Sequence, residues 1–339
     1  MESIIVRMPN WIGDLVMATP VLYDLRKAFP KASITAMCRR PLCELLEEDA
    51  SIDEIFCFEK PVSRFERGNV RRNIIAKIQG GAFDRGILLT HSFSSAWWFW
   101  QGKVKQRIGY PGHFRKWLLT DAVSVPDATL HQVDQYKKLL EPLGIPRSAT
   151  KPKLYVSEKE VEESKQLLYQ RGYIRGKRLI GINPGAAYGT AKCWLPERFR
   201  ELAVKLLDEQ TYIVFFGDAS SDALVKEICL GLPKQVMNLA GVTSLRELMC
   251  LIKDCDVVVT NDSGPMHIAD AFGVPIVALF GSTDAATTGP YGQKEAVIYK
   301  QVSCSPCFKR VCPIDFRCMK EITVEEVEKR TRKALEKHV

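Results

Sequence analysis

The 339-residue chain has no apolar run approaching the roughly 20 residues needed to cross a bilayer. Its opening, MESIIVRMPN, runs straight into a strand-like stretch without the charged, apolar and small-residue order of a secretion signal, so the chain is expected in the cytoplasm. No strand-like run is followed by G-x-G-x-x-G, and PGAAYGTAK does not meet G-x4-G-K-[ST]. These two absences remove the ordinary dinucleotide enzyme and the P-loop ATPase. Repeats at solenoid periods and low-complexity tracts are also missing, which excludes repeat arrays.

The composition that remains is that of a globular chain long enough for about two domains. Eleven cysteines, an odd number, read in a reducing compartment as thiols or metal ligands rather than as a disulfide framework. A net charge of +8 asks for an anionic partner, whether phosphorylated substrate, lipid surface or nucleic acid.

Strand signals at SIIVRM, SITAMC, DEIFCF and RGILLT alternate with helical stretches, the first from Asp14 to about Ala28. A second series contains RLIGINPG, a helix from Pro196 to Asp208, TYIVFFG, helical segments near 220–230 and 244–253, and then VVVTNDSGPMHIADAFGVPIVALFG. Alternation of this kind means parallel sheets covered on both faces. The seam is expected in LGIPRSATKPKLYVSEKE, where proline and charge replace periodicity. The domains expected are 1–155, 156–321 and a terminal helix over 322–339, opened by a Thr323/Glu326 capping box and able to pack back on the first domain.

Four loops at strand ends carry more than a turn requires. In MPNWIGDLVMATPVL, Gly13 allows close backbone approach, and Asp14 stands at a helix start as either a first-turn acid or a reactive carboxylate. In INPGAAYGTAKCW, the small residues around Gly185 and Tyr188 precede Lys192, either a solvated lysine or a point charge for a phosphate. In FFGDASSD, Asp218 or Asp222 is an N-cap or a ribose acceptor. In TNDSGPMH, Asp262, Ser263 and Gly264 open a helix whose N–H groups and dipole favour an anion, while His267 one turn later is a contact or a core histidine.

Two basic runs mark the first half. KPVSRFERGNVRR contains Arg64, and QGKVKQRIGYPGHFRKW has five basic residues, Arg107 and Arg115 among them, and no acid. The second run is interleaved with Trp97, Trp98, Trp100 and Trp117, a mixture suited to a headgroup region and a phosphorylated glycolipid. It also suits single-stranded nucleic acid, but no RNA-binding module signature accompanies it, and no nucleic-acid partner is expected. Cys304, Cys307, Cys312 and Cys318 are spaced C-x2-C-x4-C-x5-C; the first pair suits zinc and the rest is wider than common ribbons. The expectation is a thiol-rich loop without metal, with a structural zinc as the alternative.

The order NWIGDLVMATPVL, NPGAAYGTAKCW, FFGD, LAGVTSLRELMCLI and TNDSGPMHIADAFGVPIVALFG resembles the ADP-heptose:lipopolysaccharide heptosyltransferases of glycosyltransferase family nine, over nearly the whole chain. LLTHSFSSAWW, RIGYPGHFRKWLLT and CSPCFKRVCPIDFRCMKEIT are most similar to members that add the second heptose of the inner core. His91 and Ser94 depart from the NSFRSA-like pattern usual there. The resemblance implies an α/β GT-B architecture, two Rossmann-like doubly wound domains facing a central cleft, with acceptor on the N-terminal domain and nucleotide sugar on the C-terminal one. It implies inverting transfer of L-glycero-D-manno-heptose from ADP-heptose to the heptosyl-Kdo core of lipopolysaccharide, without cofactor or metal. Asp14 would be the catalytic base. Lys192 and the turn Asp262, Ser263 and Gly264 would hold the diphosphate, with Asp218, His267 and, by neighbourhood, Thr243 near the nucleotide. Arg64, Ser92, Arg107 and Arg115 would meet the acceptor, at the cytoplasmic face of the inner membrane with peripheral contact. A GT-B enzyme for another nucleotide sugar and a non-catalytic sugar-nucleotide-binding protein are the alternatives.

Overall fold

The computed structural model describes residues 2–59, 61, 63 and 66–336, so that Arg64 lies outside the described residues. The chain divides into two compact units, Met1–Tyr155 and Val156–Val339.

The first unit contains, in order, β1 (Ser3–Arg7), α1 (Ile12–Ala28), β2 (Ser33–Arg39), β3 (Glu54–Phe58), α2 (Glu66–Gly80), β4 (Arg85–Leu88), α3 (Phe93–Gln101), β5 (Gln106–Gly109), β6 (Asp121–Ala122) and α4 (Gln132–Lys138). Its six strands pair in the order β3-β2-β1-β4-β5-β6, and the pairing is parallel throughout. The central strands are buried on both faces, which is why β1 reads as an unbroken apolar run, Ile4, Ile5 and Val6, before Arg7. Helix α1 begins at Ile12, two residues before its expected start, because the extended backbone of Trp11 occupies the N-cap position.

The second unit repeats the plan. It runs α5 (Glu158–Tyr169), β7 (Arg178–Asn183), α6 (Pro196–Leu206), β8 (Thr211–Phe215), α7 (Asp222–Cys229), β9 (Val236–Asn238), α8 (Leu245–Lys253), β10 (Val257–Asn261), α9 (Gly264–Phe272), β11 (Ile276–Phe280), α10 (Ala285–Thr288), β12 (Val297–Tyr299), α11 (Arg317–Lys320) and α12 (Val324–Glu336). The strand order is β12-β11-β10-β7-β8-β9, again parallel throughout. Each sheet therefore reverses direction once, between β1 and β4 in the first unit and between β7 and β10 in the second. Just outside the carboxyl ends of such a pair, adjacent loops diverge and leave a crevice for a ligand.

Helix α12 lays Val324, Val327 and Leu335 into the core of the second unit, beside α6. Its apolar stripe matches that core, and Ile322 just ahead of it is pinned through its carbonyl by the Trp194 indole N–H at 3.0 Å. One expectation is corrected here: the cysteines are not all thiols. Cys43 and Cys57 form a disulfide, because the turn after β2 sets Cys43 beside β3.

Candidate active site

In the second unit the crevice is lined by the residues that follow β7 and β10. Lys192 places its ammonium 2.5 Å from Asp262 Oδ2, and the same oxygen accepts a 2.6 Å hydrogen bond from Thr283 Oγ1, after β11. Both partners are largely buried, so the cation is held at a fixed place at the sheet's edge. Tyr188 lies beneath two cations, Lys192 Nζ at 4.9 Å and the Arg310 guanidinium at 5.2 Å from its ring centre. Its hydroxyl donates to the carbonyl of Phe308 at 3.0 Å.

Ser263 occupies the N-cap position of α9 but makes no capping bond. Its hydroxyl is engaged sideways, by Asn183 Nδ2 and Thr260 Oγ1, each at 3.1 Å. The first turn of α9 is thus left without a side-chain acceptor, and an anion can take that place. Asn183 also donates to the Gly185 carbonyl at 2.9 Å, and Asn261 joins the Pro184 carbonyl at 2.7 Å to the Trp194 N–H at 3.0 Å. These amides lock the loop after β7 onto the loop after β10. His267 is buried one turn into α9.

The loop after β8 adjoins this site: a side chain at Gly185 would begin 2.8 Å from Ser221 Oγ. Asp218 acts there as a cap, accepting from Ser220 Oγ at 2.6 Å and from the Ser221 hydroxyl and N–H at 3.0 and 3.1 Å. Burial opposes its ionised form, and these bonds outweigh burial and lower its pKa. Thr243 follows β9 at the same sheet edge, one residue before the Ser244 capping box of α8.

The cysteine tail closes over the loop after β7. Arg310 accepts the Ala191 N–H at 3.0 Å and lies so close to Gly189, at φ 154°, that a side chain at Gly189 would begin within backbone contact. Phe308 N–H donates to the Ser282 carbonyl at 2.7 Å. Cys318 is buried against Gly281, and burial raises its pKa, while Cys312 Sγ accepts the Phe316 N–H at 3.3 Å. Among the described residues no group of three or more His, Cys, Asp or Glu side chains is arranged to hold a metal ion.

In the first unit Asp14 occupies the first turn of α1, near the positive end of the helix dipole, and is half-buried. The Tyr136 hydroxyl of α4 donates to Asp14 Oδ1 at 3.0 Å. Burial, with the Asp14 charge behind it, raises the Tyr136 pKa well above the usual phenol value, so the phenol stays a donor. Gly13 precedes Asp14 on the same turn. Arg7, buried at the end of β1, braces the preceding loop through Met8 O and Asn10 Oδ1, the latter at 2.6 Å. Sequence reasoning passed over Arg7, although a lone cation ending an apolar strand was a visible signal.

The acceptor-side arginines are both engaged with backbone carbonyls. Arg115 is fully buried and spends its guanidinium on the carbonyls of Tyr110, Thr90 and Ser92, at 2.9, 2.5 and 3.2 Å. Arg107 does likewise with Leu118 O and Val104 O, at 2.7 and 2.6 Å. Both groups organise their own loop through these bonds, while Arg115 Nη2 is buried without a hydrogen-bond partner. Burial lowers the pKa of each, that of Arg115 to about 10. Ser92 caps α3 and stays exposed, and His91 stacks on Tyr110 with ring centres 5.7 Å apart. Burial and then the Arg115 charge lower the His91 pKa.

Two doubly wound parallel sheets, one with a fixed cation and an open helix N-terminus at its switch point, define the GT-B class of glycosyltransferases. The family model for glycosyltransferase family 9 (heptosyltransferase) matches residues 71–316. Lipopolysaccharide heptosyltransferase 2 of Salmonella typhimurium is 33% identical over 309 residues, 87% of each chain. Among solved structures, the ADP-heptose lps heptosyltransferase II of E. coli superposes with a TM-score of 0.86 at 29% identity, covering 99% of both chains. A glycosyltransferase family 9 protein from Veillonella parvula superposes at 0.88 with 25% identity, covering 99% of this chain and 97% of its own. The chain belongs to glycosyltransferase family 9, the heptosyltransferases.

Proposed function

We propose that this chain transfers L-glycero-D-manno-heptose from ADP-heptose to the heptosyl-Kdo inner core of lipopolysaccharide, with inversion. The carrying observation is the Lys192–Asp262–Thr283 cluster beside the uncapped start of α9. Lys192 and the N–H groups of Ser263 and Gly264 take the diphosphate, which needs no metal in this reading because a cation and a helix dipole offset the charge of the departing ADP. Asp262 holds Lys192 in place. Tyr188 and Gly185 shape the loop, and Asp218, Thr243 and His267 lie toward the nucleoside.

The acceptor and its base belong to the first unit. Asp14 takes the proton of the acceptor hydroxyl while the hydroxyl oxygen bonds to the anomeric carbon and the bond to the ADP oxygen breaks. The Tyr136 hydroxyl, donating to Oδ1, orients the Asp14 carboxylate for this work. Ser92 is the acceptor contact this reading retains. No helix among the described residues is long and apolar enough to cross a membrane. We place the protein in the cytoplasm, attached peripherally to the inner membrane that carries its acceptor.

Purified protein incubated with ADP-heptose and heptose-deficient lipopolysaccharide should release ADP and extend the acceptor by one heptose. ADP release with another ADP-sugar or nucleotide sugar in preference to ADP-heptose would assign a different donor, and no release with any donor would leave a binding protein.

A further inference from the structure

Helix α3 and the short turn at Lys116–Leu118 build a surface that the transfer reaction does not use. Along α3, Phe93, Trp97 and Trp100 recur at i, i+4 and i+7 and so share one face, while Ala96 at its edge and Phe99 enter the core, against which Trp97 is partly buried. Trp98 turns inward as well, with its ring 5.6 Å from that of Phe58. Trp117 completes the outer face, its ring centre 5.9 Å from Trp100, 6.4 Å from Trp97 and 6.3 Å from Phe93. Trp97 and Trp100 are 5.0 Å apart.

Four rings therefore form one contiguous aromatic patch, with Trp117 61% and Trp100 40% exposed. Phe114 projects from the adjoining turn at 94% exposure, on a backbone of φ 57° that bulky side chains rarely adopt. A soluble surface seldom leaves so much aromatic area uncovered without an occupant.

The charge around the patch indicates what that occupant is. Residues 85–120 contain no aspartate or glutamate, and Lys103, Lys105, His113 and Lys116 are exposed in the same stretch. Lys105 is partly neutralised by Asp84 at 2.8 Å, whereas Lys103 and Lys116 lie at the ends of the segments bearing Trp100 and Trp117. Indole rings favour the headgroup level of a bilayer, and lysines beside them favour anionic lipid.

We propose that the Phe93/Trp97/Trp100/Trp117 face, with Phe114, Lys103 and Lys116 at its margin, docks onto an anionic phospholipid surface and holds the enzyme where its acceptor resides. This rests on the proposed membrane-borne glycolipid acceptor and names the surface that meets the membrane. Ser92, the cap of α3, starts the same helix. A docked α3 thus brings the acceptor end of the unit to the headgroups.

The test is co-sedimentation of the full chain with vesicles of phosphatidylcholine alone and of equal parts phosphatidylcholine and phosphatidylglycerol. The wild type should pellet with the anionic vesicles, release as salt rises, and pellet weakly with the neutral ones. Both Trp100→Ser/Trp117→Ser and Lys103→Glu/Lys116→Glu should lower partitioning on the order of tenfold or more. The same variants should bind ADP as the wild type does and turn over a de-acylated, soluble acceptor at the wild-type rate.

Wild-type-like pelleting of both variants would overturn the proposal, as would equal pelleting with neutral vesicles. A wild-type dimer that the tryptophan variant dissociates, without vesicle binding, would instead make this face a contact between two copies. Loss of vesicle binding with soluble-acceptor turnover intact supports it. Absence of turnover in the wild type itself, with lipid binding retained, would count against the transfer reaction and leave the docking surface standing.

Discussion

Lys192 and Asp262 show how a single contact can serve both binding and folding. In the proposed reaction the lysine supplies charge to the donor, and the carboxylate that holds it is 5% exposed at the end of β10. Lys192→Ala should lower ADP affinity by about 10- to 100-fold, the loss of a charge-assisted contact worth roughly 1.5–3 kcal/mol. It should also lower stability by about 3 kcal/mol, because the buried Asp262 loses its cation. Calorimetric titration and urea denaturation read these separately. A variant that loses neither would return Lys192 to the status of a solvated loop residue.

Arg115 makes the opposite case at the same scale. Three carbonyls depend on its guanidinium, two of them flanking His91. Arg115→Met should cost about 3 kcal/mol or more in thermal or urea unfolding. At a temperature where the variant is folded, its acceptor KM should match that of the wild type. A raised KM with unchanged stability would restore the phosphate-binding role that acid-free loops suggest from sequence.

Among the elements, α5 and α8 are joined by an ion pair that the linear sequence does not announce. Glu160 closes the capping box of α5 on Ser157, and Arg246 of α8 reaches it through Nε at 2.6 Å and Nη2 at 2.9 Å. The Arg246 bond, working against burial, lowers the Glu160 pKa from 4.5 to about 2. A carboxylate whose folded pKa lies below its unfolded value stabilises the fold above the unfolded value and ceases to do so as pH falls through the folded one. The pair's contribution is therefore present above about pH 4.5 and is lost between there and about pH 2. Arg246→Met should flatten that part of the stability-against-pH curve; an unchanged slope would show the pair to be solvated and idle.

The Gly189 turn offers a second test at this scale. Gly189→Ala places a methyl group against the Arg310 carbonyl at a backbone angle that alanine resists. It should destabilise by about 1–3 kcal/mol and detach the cysteine tail from Tyr188. Faster thiol labelling at Cys307 and Cys312 would report the detachment.

At the scale of the whole molecule, the doubly wound plan was readable because buried parallel strands must be continuous apolar runs; VVVT and IVALF can be little else. The turn after β10 was readable as a helix start for a related reason, since a small polar stretch between two buried strands has to open a helix at the sheet's edge. Contacts across long sequence separations were not legible. Nothing in Asp262 tells that Lys192, 70 residues earlier, will occupy its carboxylate, or that Tyr136, 122 residues after Asp14, will donate to it. Periodicity describes faces of elements, and pairings between loops arise only once the sheet order is set. The basic run around Arg107 and Arg115 shows the same limit: its charge was visible, and the carbonyls that engage it were not.

Asp14, the group proposed to take the acceptor's proton, is central to the proposed reaction. It lies in the first turn of α1, with Trp11 at the N-cap and the Tyr136 hydroxyl on its Oδ1. Asn in its place keeps the size, the acceptor oxygen for Tyr136 and the helix. Turnover of Asp14→Asn, measured as ADP release from ADP-heptose with heptose-deficient lipopolysaccharide, is the decisive number. It should fall on the order of 100-fold or more, with ADP affinity and unfolding midpoint close to wild type, as expected when a general base is removed. Turnover near the wild-type rate in a folded, ADP-binding Asp14→Asn protein would contradict the account.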